Sequence, residues 1–266
     1  MMKIIDGKMI AEKVKDEITQ AIHKLNGPRP NLAIILVGER EDSKLYVALK
    51  ETEGKKVGID THVYKLASDV SGTELLTTIK FLNDDPAIDG ILVQLPLPQE
   101  INTDQVIAAI DPYKDVDGFH PNHPDYVMSP VLAAIKACLE EIKFMAPGKS
   151  ACVLYNSEVF GQGVKDILEL LGLKVSLKQG SAQADLLVTA IGEPGKIKKE
   201  MVKEGAVIID IGITKINGKV WGDVDFENVK EKASYITPVP GGIGPLTIAF
   251  LFKNVWEIYC RKNKLS

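Results

Sequence analysis

The amino-acid sequence predicts an α/β protein built as two lobes. Continuous apolar runs such as Leu32–Val37 and Ile91–Val93 are of the kind found in parallel strands covered on both faces, and they alternate with segments of helical period. A helix-patterned stretch from about Val131 to Lys143 then precedes Pro147-Gly148-Lys149, after which a second series of alternating strands and helices begins. Such alternation implies parallel sheets with right-handed crossovers, and two series imply two sheets.

In chain order, Ile4-Ile5 reads as a short strand and Asp6-Gly7 as a turn. Ile10, Val14, Ile18 and Ile22 recur every four residues as the apolar stripe of a helix that Pro28 and Pro30 stop. After the strand ending at Gly38, Asp42 or Ser43 is placed to cap a helix running to about Val57, before Gly58. A strand is expected near Thr61–Leu66, a helix near Gly72–Leu82, and a strand at Ile91–Gln94 closed by Pro96 and Pro98. The segment from Asp111 to Pro130 reads as an irregular connection. In the next helix Leu132, Ile135, Leu139 and Ile142 form the apolar stripe, and this helix is expected to bridge the lobes. Ala151–Leu154, Lys174–Leu177, Asp185–Ala190 and Ala206–Asp210 follow as strands, with a helix at Val164–Leu171. The last helix continues from the Pro/Gly-rich stretch Pro238–Thr247 to about Tyr259.

The bulk composition excludes several classes. With 266 residues, 45% hydrophobic and 26% charged, the chain has the make-up of a soluble globular protein. A formal charge of -4 gives no electrostatic footprint for a nucleic-acid partner. The apolar runs are too short to span a bilayer and the N-terminus lacks a signal-peptide core, so a cytoplasmic protein is expected. Cys138, Cys152 and Cys260 lie far apart in apolar segments and read as buried thiols. His120 and His123 sit beside prolines without an evident third ligand, so no metal is expected. Lys196, Lys198 and Lys199 read as a solvated face.

Several residues are candidates for chemistry. Tyr46 and Lys50 are four apart and share one helix face. Gln94 ends a strand, where open α/β sheets take their ligands. A lysine on a helix is ordinarily a solvated charge. Buried beside Tyr46 and Gln94, Lys50 would lose affinity for its proton and offer a neutral amine for proton transfer. Asp117 is either a turn former or an anchor for a polar heterocycle. Tyr155-Asn156-Ser157, with Gly161 and Gly163 beyond, occupies a strand–turn–helix context suited to a dinucleotide phosphate, though without G-x-G-x-x-G spacing. Pro238, Gly241, Gly242 and Pro245 shape a backbone that a ligand can approach closely, or a rigid interdomain turn.

Taken together, Ser43–Lys50, Gly90–Pro98, Lys114–Gly118, Ile209–Ile213, Gly222–Phe226 and Pro238–Thr247 occur in one order along the chain. In that order they closely resemble the bifunctional methylenetetrahydrofolate dehydrogenase/methenyltetrahydrofolate cyclohydrolase family. The resemblance covers essentially the whole sequence. It implies two α/β lobes around a cleft: residues 1–129, completed by a C-terminal helix at 246–266, as the folate lobe, and 130–245 as a Rossmann-type cofactor lobe. It implies Lys50 as the catalytic lysine, Tyr46 packing on the folate, Gln94 orienting Lys50 and Asp117 binding the pterin. Pro238, Gly241, Gly242 and Pro245 would line the folate site, and Tyr155, Asn156, Ser157, Gly161 and Ile213 the cofactor site.

The implied activity is oxidation of 5,10-methylenetetrahydrofolate to the methenyl form with NADP, then hydrolysis to 10-formyltetrahydrofolate, by a homodimer. Some residues depart from the family pattern. Tyr155-Asn156-Ser157 stands where Gly-Arg-Ser is usual, and Asn156 has no charge to hold the 2′-phosphate of NADP. A family His-Ser-x-Thr segment is replaced by the shorter Lys178–Gln183, and Met128-Ser129-Pro130 replaces Cys-Thr-Pro. NAD is therefore the alternative cofactor. A cyclohydrolase with NAD-dependent, weak or absent dehydrogenase activity is the alternative function, and a folate-binding module without turnover is a further one.

Overall fold

A computed structural model describes residues 2–25 and 27–265. The chain starts with β1 (Lys3–Ile4), α1 (Gly7–His23), β2 (Asn31–Val37) and α2 (Glu41–Val57). Next come β3 (Asp60–Leu66), α3 (Gly72–Asp84), β4 (Gly90–Val93), α4 (Thr103–Ala109) and α5 (Pro130–Glu141). Then follow β5 (Ser150–Tyr155), α6 (Glu158–Leu170), β6 (Lys174–Leu177), β7 (Leu186–Ala190) and β8 (Val207–Asp210). The last elements are β9 (Thr214–Ile216), β10 (Lys219–Trp221), α7 (Phe226–Val229), β11 (Tyr235–Ile236) and α8 (Ile243–Lys262).

These elements form two compact units. One comprises Glu12–Pro130 with Ile248–Ser266, the other Met1–Ala11 with Val131–Thr247. The first eleven residues, expected in the N-terminal lobe, thus group with the second unit. The reason is β1, which pairs in parallel with β11 through Lys3↔Tyr235 and Ile4↔Ile236. α5, expected to bridge the lobes, likewise belongs to the second unit from Val131 onward.

The first unit is a three-stranded parallel sheet in the order β3-β2-β4. β2 is central, and its residues Leu32–Val37 are all buried, as their unbroken apolar run requires. One face of the sheet packs Leu75, Ile79 and Leu82 of α3 against Ala33, Ile35 and Ile91. The other packs Leu251, Phe252 and Val255 of α8 against Leu32, Ile34 and Leu92. Ser71 caps α3 by accepting the Glu74 N–H at 3.2 Å. α2 begins at Glu41 with Arg40 at its N-cap, ahead of the expected Asp42 or Ser43, and Arg40 makes no capping hydrogen bond. Asp42 is instead paired with the Arg40 guanidinium at 2.7 Å. At the other end Gly58, with φ 87°, returns its N–H to Gly54 and closes the helix.

The second unit is a six-stranded sheet in the order β1-β11-β8-β7-β5-β6, with all its pairings parallel. From β5 the chain moves outward to β6 and then crosses back to β7, so the topological switch point lies at the carboxyl ends of β5 and β7. Its core gathers Cys152, Leu187, Ile208 and Ile236 from four strands with Val202 and Val229. Cys138 and Cys152 are buried as expected, whereas Cys260 is only partly so. Lys196, Lys198 and Lys199 lie on the surface and pair with Glu193, Asp225 and Glu231. No helix among the described residues is long and apolar enough to cross a membrane.

Candidate active site

In the first unit the mid-helix position of Lys50 and the end of β4 bring two predicted residues together. Lys50 Nζ donates a hydrogen bond of 2.8 Å to Gln94 Oε1. Gln94 is held on both sides: its backbone N–H donates to Ile35 O at 2.9 Å and its Nε2 to Leu95 O at 2.7 Å. The second contact uses the amide's donor end and so presents its oxygen to the lysine. Tyr46 stands one helical turn before Lys50 and is 38% exposed, leaving ring surface for a partner.

Asp117 completes the electrostatics. Burial holds Lys50 below the ordinary lysine range, and the negative charge of Asp117 opposes that shift. Burial pushes the Asp117 carboxyl up to about 7, opposed by Lys50 and reinforced by Asp115. Desolvation thus drives both groups toward their neutral forms while their mutual attraction drives both toward charge. Perturbation of two neighbouring groups by burial is a feature of sites that carry out general acid–base chemistry.

The loop bearing Asp117 is built by residues to which the sequence reading assigns no role. Asp115 is 2% exposed and accepts the N–H groups of Asp117 at 3.0 Å and His120 at 2.7 Å. Lys114 turns away from the site and donates to three carbonyls at the end of α3, those of Leu82, Asn83 and Asp85, at 2.8–3.0 Å. These are the groups a helix C-terminus leaves unpaired. Asn254 of α8 donates to the carbonyls of Val116 and Met128, both at 2.8 Å, and fixes the loop from the other side. In the Lys-Asp-Val-Asp-Gly run Lys114 and Asp115 are thus both engaged by backbone groups.

In the second unit two buried aspartates do the same work at the carboxyl edge of the sheet. Asp223, fully buried, accepts from Thr189 Oγ1 and from the N–H groups of Ile191, Gly192 and Glu193 at 2.6–3.0 Å. Asp210 accepts from the N–H groups of Gly212, Asp223 and Val224 at 2.9–3.1 Å. Burial pushes Asp210 up to about 7 despite those bonds. A Cβ on Gly212 would lie 2.2 Å from Asp223, and one on Gly222 2.2 Å from Asp210. Each glycine makes room for the aspartate next to the other.

The predicted cofactor residues lie at this edge. Ser157 caps α6, accepting the Phe160 N–H at 3.5 Å. Asn156, just after β5, donates from Nδ2 to Ile191 O after β7 at 2.9 Å and so spans the switch point. Tyr155 is 8% exposed, with its ring laid on Gly161, where a Cβ would come within 2.3 Å of it. Ile213 is 46% exposed. The thirteen-residue helix α6, whose N-terminus follows a strand at a switch point, fits a dinucleotide, with Asn156, Ser157 and Lys178 as nearby polar or cationic donors.

The Pro238–Thr247 stretch is shaped backbone, as its composition implies. Gly241 has φ 107°. A Cβ on Gly242 would lie 2.6 Å from Pro238 O, and one on Gly7 1.8 Å from Gly242 O, so two backbones touch here. Pro238 and Pro245 are half-buried.

Known proteins match this chain over nearly its whole length. Residues 5–117 match the tetrahydrofolate dehydrogenase/cyclohydrolase catalytic domain and residues 130–263 the NAD(P)-binding domain of the same family. The bifunctional protein FolD of Sulfurihydrogenibium sp. is 44% identical over 285 aligned positions, covering 98% of this chain and 99% of that protein. The crystal structure of the bifunctional enzyme FolD from Campylobacter jejuni superposes with a TM-score of 0.94 at 37% identity, over the full length of both chains. That of the Trypanosoma brucei dehydrogenase-cyclohydrolase, determined with NADP and an inhibitor, does so at 0.93 and 29% identity over 99% of each. On both its domains, then, this chain belongs to the tetrahydrofolate dehydrogenase/cyclohydrolase family.

Proposed function

We infer that this chain oxidises 5,10-methylenetetrahydrofolate to the 5,10-methenyl form and hydrolyses that product to 10-formyltetrahydrofolate. The observation that carries the hydrolytic half is the Lys50–Gln94 hydrogen bond beside a desolvated Asp117. The methenyl group is a cation. Its presence disfavours the ammonium form of Lys50 and adds to the effect of burial, leaving a neutral amine. Water then attacks the methenyl carbon, forming a C–O bond while Lys50 takes one of its protons. The remaining hydroxyl proton passes to N5 as the N5–C bond breaks, leaving the formyl group on N10. Gln94 holds the amine in place throughout, Tyr46 supplies an aromatic face for the folate, and Asp117 accepts from the pterin.

In the oxidation, bound NADP supplies the hydride acceptor. The residues proposed to hold it are Asn156, Ser157, Gly161, Ile213 and the Tyr155 backbone. Their task is orientation, which supplies much of the rate in a transfer between two bound reactants. Pro238, Gly241, Gly242 and Pro245 are proposed as folate contacts. We further place the protein in the cytoplasm as a homodimer; sedimentation equilibrium giving only the 29.1 kDa chain mass would remove the dimer.

The decisive variant is Lys50→Met, which keeps the stem and removes the amine. It should abolish methenyl hydrolysis, followed by its absorbance, while reduced folate still binds in a titration. Unchanged hydrolysis would refute the role given to Lys50.

A further inference from the structure

The turn between β5 and α6 carries no arginine, yet a cation stands beside it. Lys178 is the first residue after β6, and its N–H donates to Val153 O at 2.9 Å, extending the ladder with β5 by one step. There the chain turns with φ 61°. The Lys178 side chain returns over the turn, with its ammonium 4.4 Å from the centre of the Tyr155 ring and paired with the Glu158 carboxylate. Tyr155 Oη donates to the same carboxylate at 2.8 Å. The end of β5, the first turn of α6 and the end of β6 thus close a ring of three side chains.

In dinucleotide-binding sheets the end of the strand after the first helix, about 20 residues beyond the turn, is where the 2′ position of the adenosine ribose is read. A carboxylate there accepts from the 2′-hydroxyl of NAD and repels a phosphate, while a cation does the reverse. This chain has lysine at that place. We propose that Lys178 distinguishes NADP from NAD here, taking the 2′-phosphate that Asn156 has no charge to hold. The inference rests on the dinucleotide reading of this unit.

Glu158 sets how strongly it does so. With 50% and 74% of their side chains exposed, Lys178 and Glu158 form an ion pair that water and salt weaken. An arriving phosphate brings about −1.5 to −2 charges against the single charge of Glu158 and displaces it from the ammonium. In the free protein the Tyr155 ring keeps Lys178 turned toward the site, so less side-chain freedom is lost on binding. NAD makes no such exchange.

Calorimetric titration of the full chain with NADP and NAD, separately, tests this without reference to turnover. Lys178→Ala should weaken NADP by about 10- to 100-fold, the worth of one hydrogen bond to a charged group, with NAD changed less than about threefold. Lys178→Arg should retain NADP, and Lys178→Asp should make NAD the better ligand. Glu158→Gln should tighten NADP alone, and added salt should narrow the gap between the two cofactors. Thermal melting of each variant checks that it is folded. Equal losses for both cofactors in Lys178→Ala, or no loss of NADP, would overturn the inference while leaving the cofactor reading intact. Unmodified protein that binds neither dinucleotide would overturn both.

Discussion

Replacing Gln94 should move the pH dependence of methenyl hydrolysis in a direction set by the charge of the replacement. With Lys50 as the proposed base, activity should rise with pH through its pKa, on a limb below the ordinary lysine value because burial disfavours the ammonium. The 2.8 Å bond to Gln94 Oε1 favours the ammonium over the amine. A hydrogen bond to a charged group contributes ~1.5–3 kcal/mol against ~0.5–1.5 for a neutral one, so the excess is about 1 kcal/mol. Gln94→Ala should therefore shift the limb toward lower pH. Its plateau should fall by about 10- to 100-fold, because the amine is no longer positioned. Gln94→Glu places an anion against the same nitrogen and should shift the limb toward higher pH.

The assay is kcat/KM for methenyl hydrolysis across pH, corrected for the uncatalysed reaction, with melting curves to show that each variant folds. Opposite displacements by Ala and Glu are the signature. A plateau loss with an unmoved limb in both variants would show that Gln94 only supports the fold. Displacement of Gln94→Ala toward higher pH would refute the sign of the reasoning.

Two other outcomes test the frame around the sites. Gly222→Ala puts a Cβ 2.2 Å from an Asp210 oxygen and 2.8 Å from Val239, where Asp210 is held by three N–H groups and cannot move aside. Overpacking and the broken bonds together should cost about 2–6 kcal/mol, read as a lower urea midpoint; an unchanged midpoint would refute the packing. Lys114→Met leaves three carbonyls at the end of α3 without their shared donor, which should cost about 2–4 kcal/mol after partial relief by water. Hydrogen exchange should quicken at the last turn of α3 and around Asp115, and unaltered protection there would count against the anchoring role.

How much of this was legible depended on whether the signal was local. The buried strand Leu32–Val37, the helix ended by Gly58, and Gln94 at a strand's end follow from composition and spacing over a few residues. β1 could be seen as Ile4-Ile5, but its sheet could not, because its partner is β11, more than two hundred residues away. The β9–β10 hairpin had a local signal that the reading passes over: Asn217-Gly218, with φ 50° and 78°, is the turn such hairpins favour. α4 was announced only by Asn102, whose side chain accepts the Gln105 N–H at 3.0 Å, and seven residues show little periodicity.

The aspartates show why a site is harder to read than a fold. Asp115, Asp117, Asp210 and Asp223 all stand in short acidic, glycine-flanked motifs, and one residue type serves two ends. Asp115 and Asp223 spend their oxygens on backbone N–H groups. Asp210 does so as well, and since burial pushes both it and Asp117 up to about 7, that shift does not tell the two apart. What separates anchor from reagent is whether neighbouring N–H groups point at the carboxylate, and that is set by loop backbone rather than by residue identity. Lys114 and Lys50 divide the same way: three carbonyls receive the first, and the second meets one side-chain amide and feels the charge of Asp117. A buried charge whose partners are all backbone is committed to the fold. Lys50, whose partners are the Gln94 amide and the charge of Asp117, is not so committed, and the proposed proton transfer is placed there.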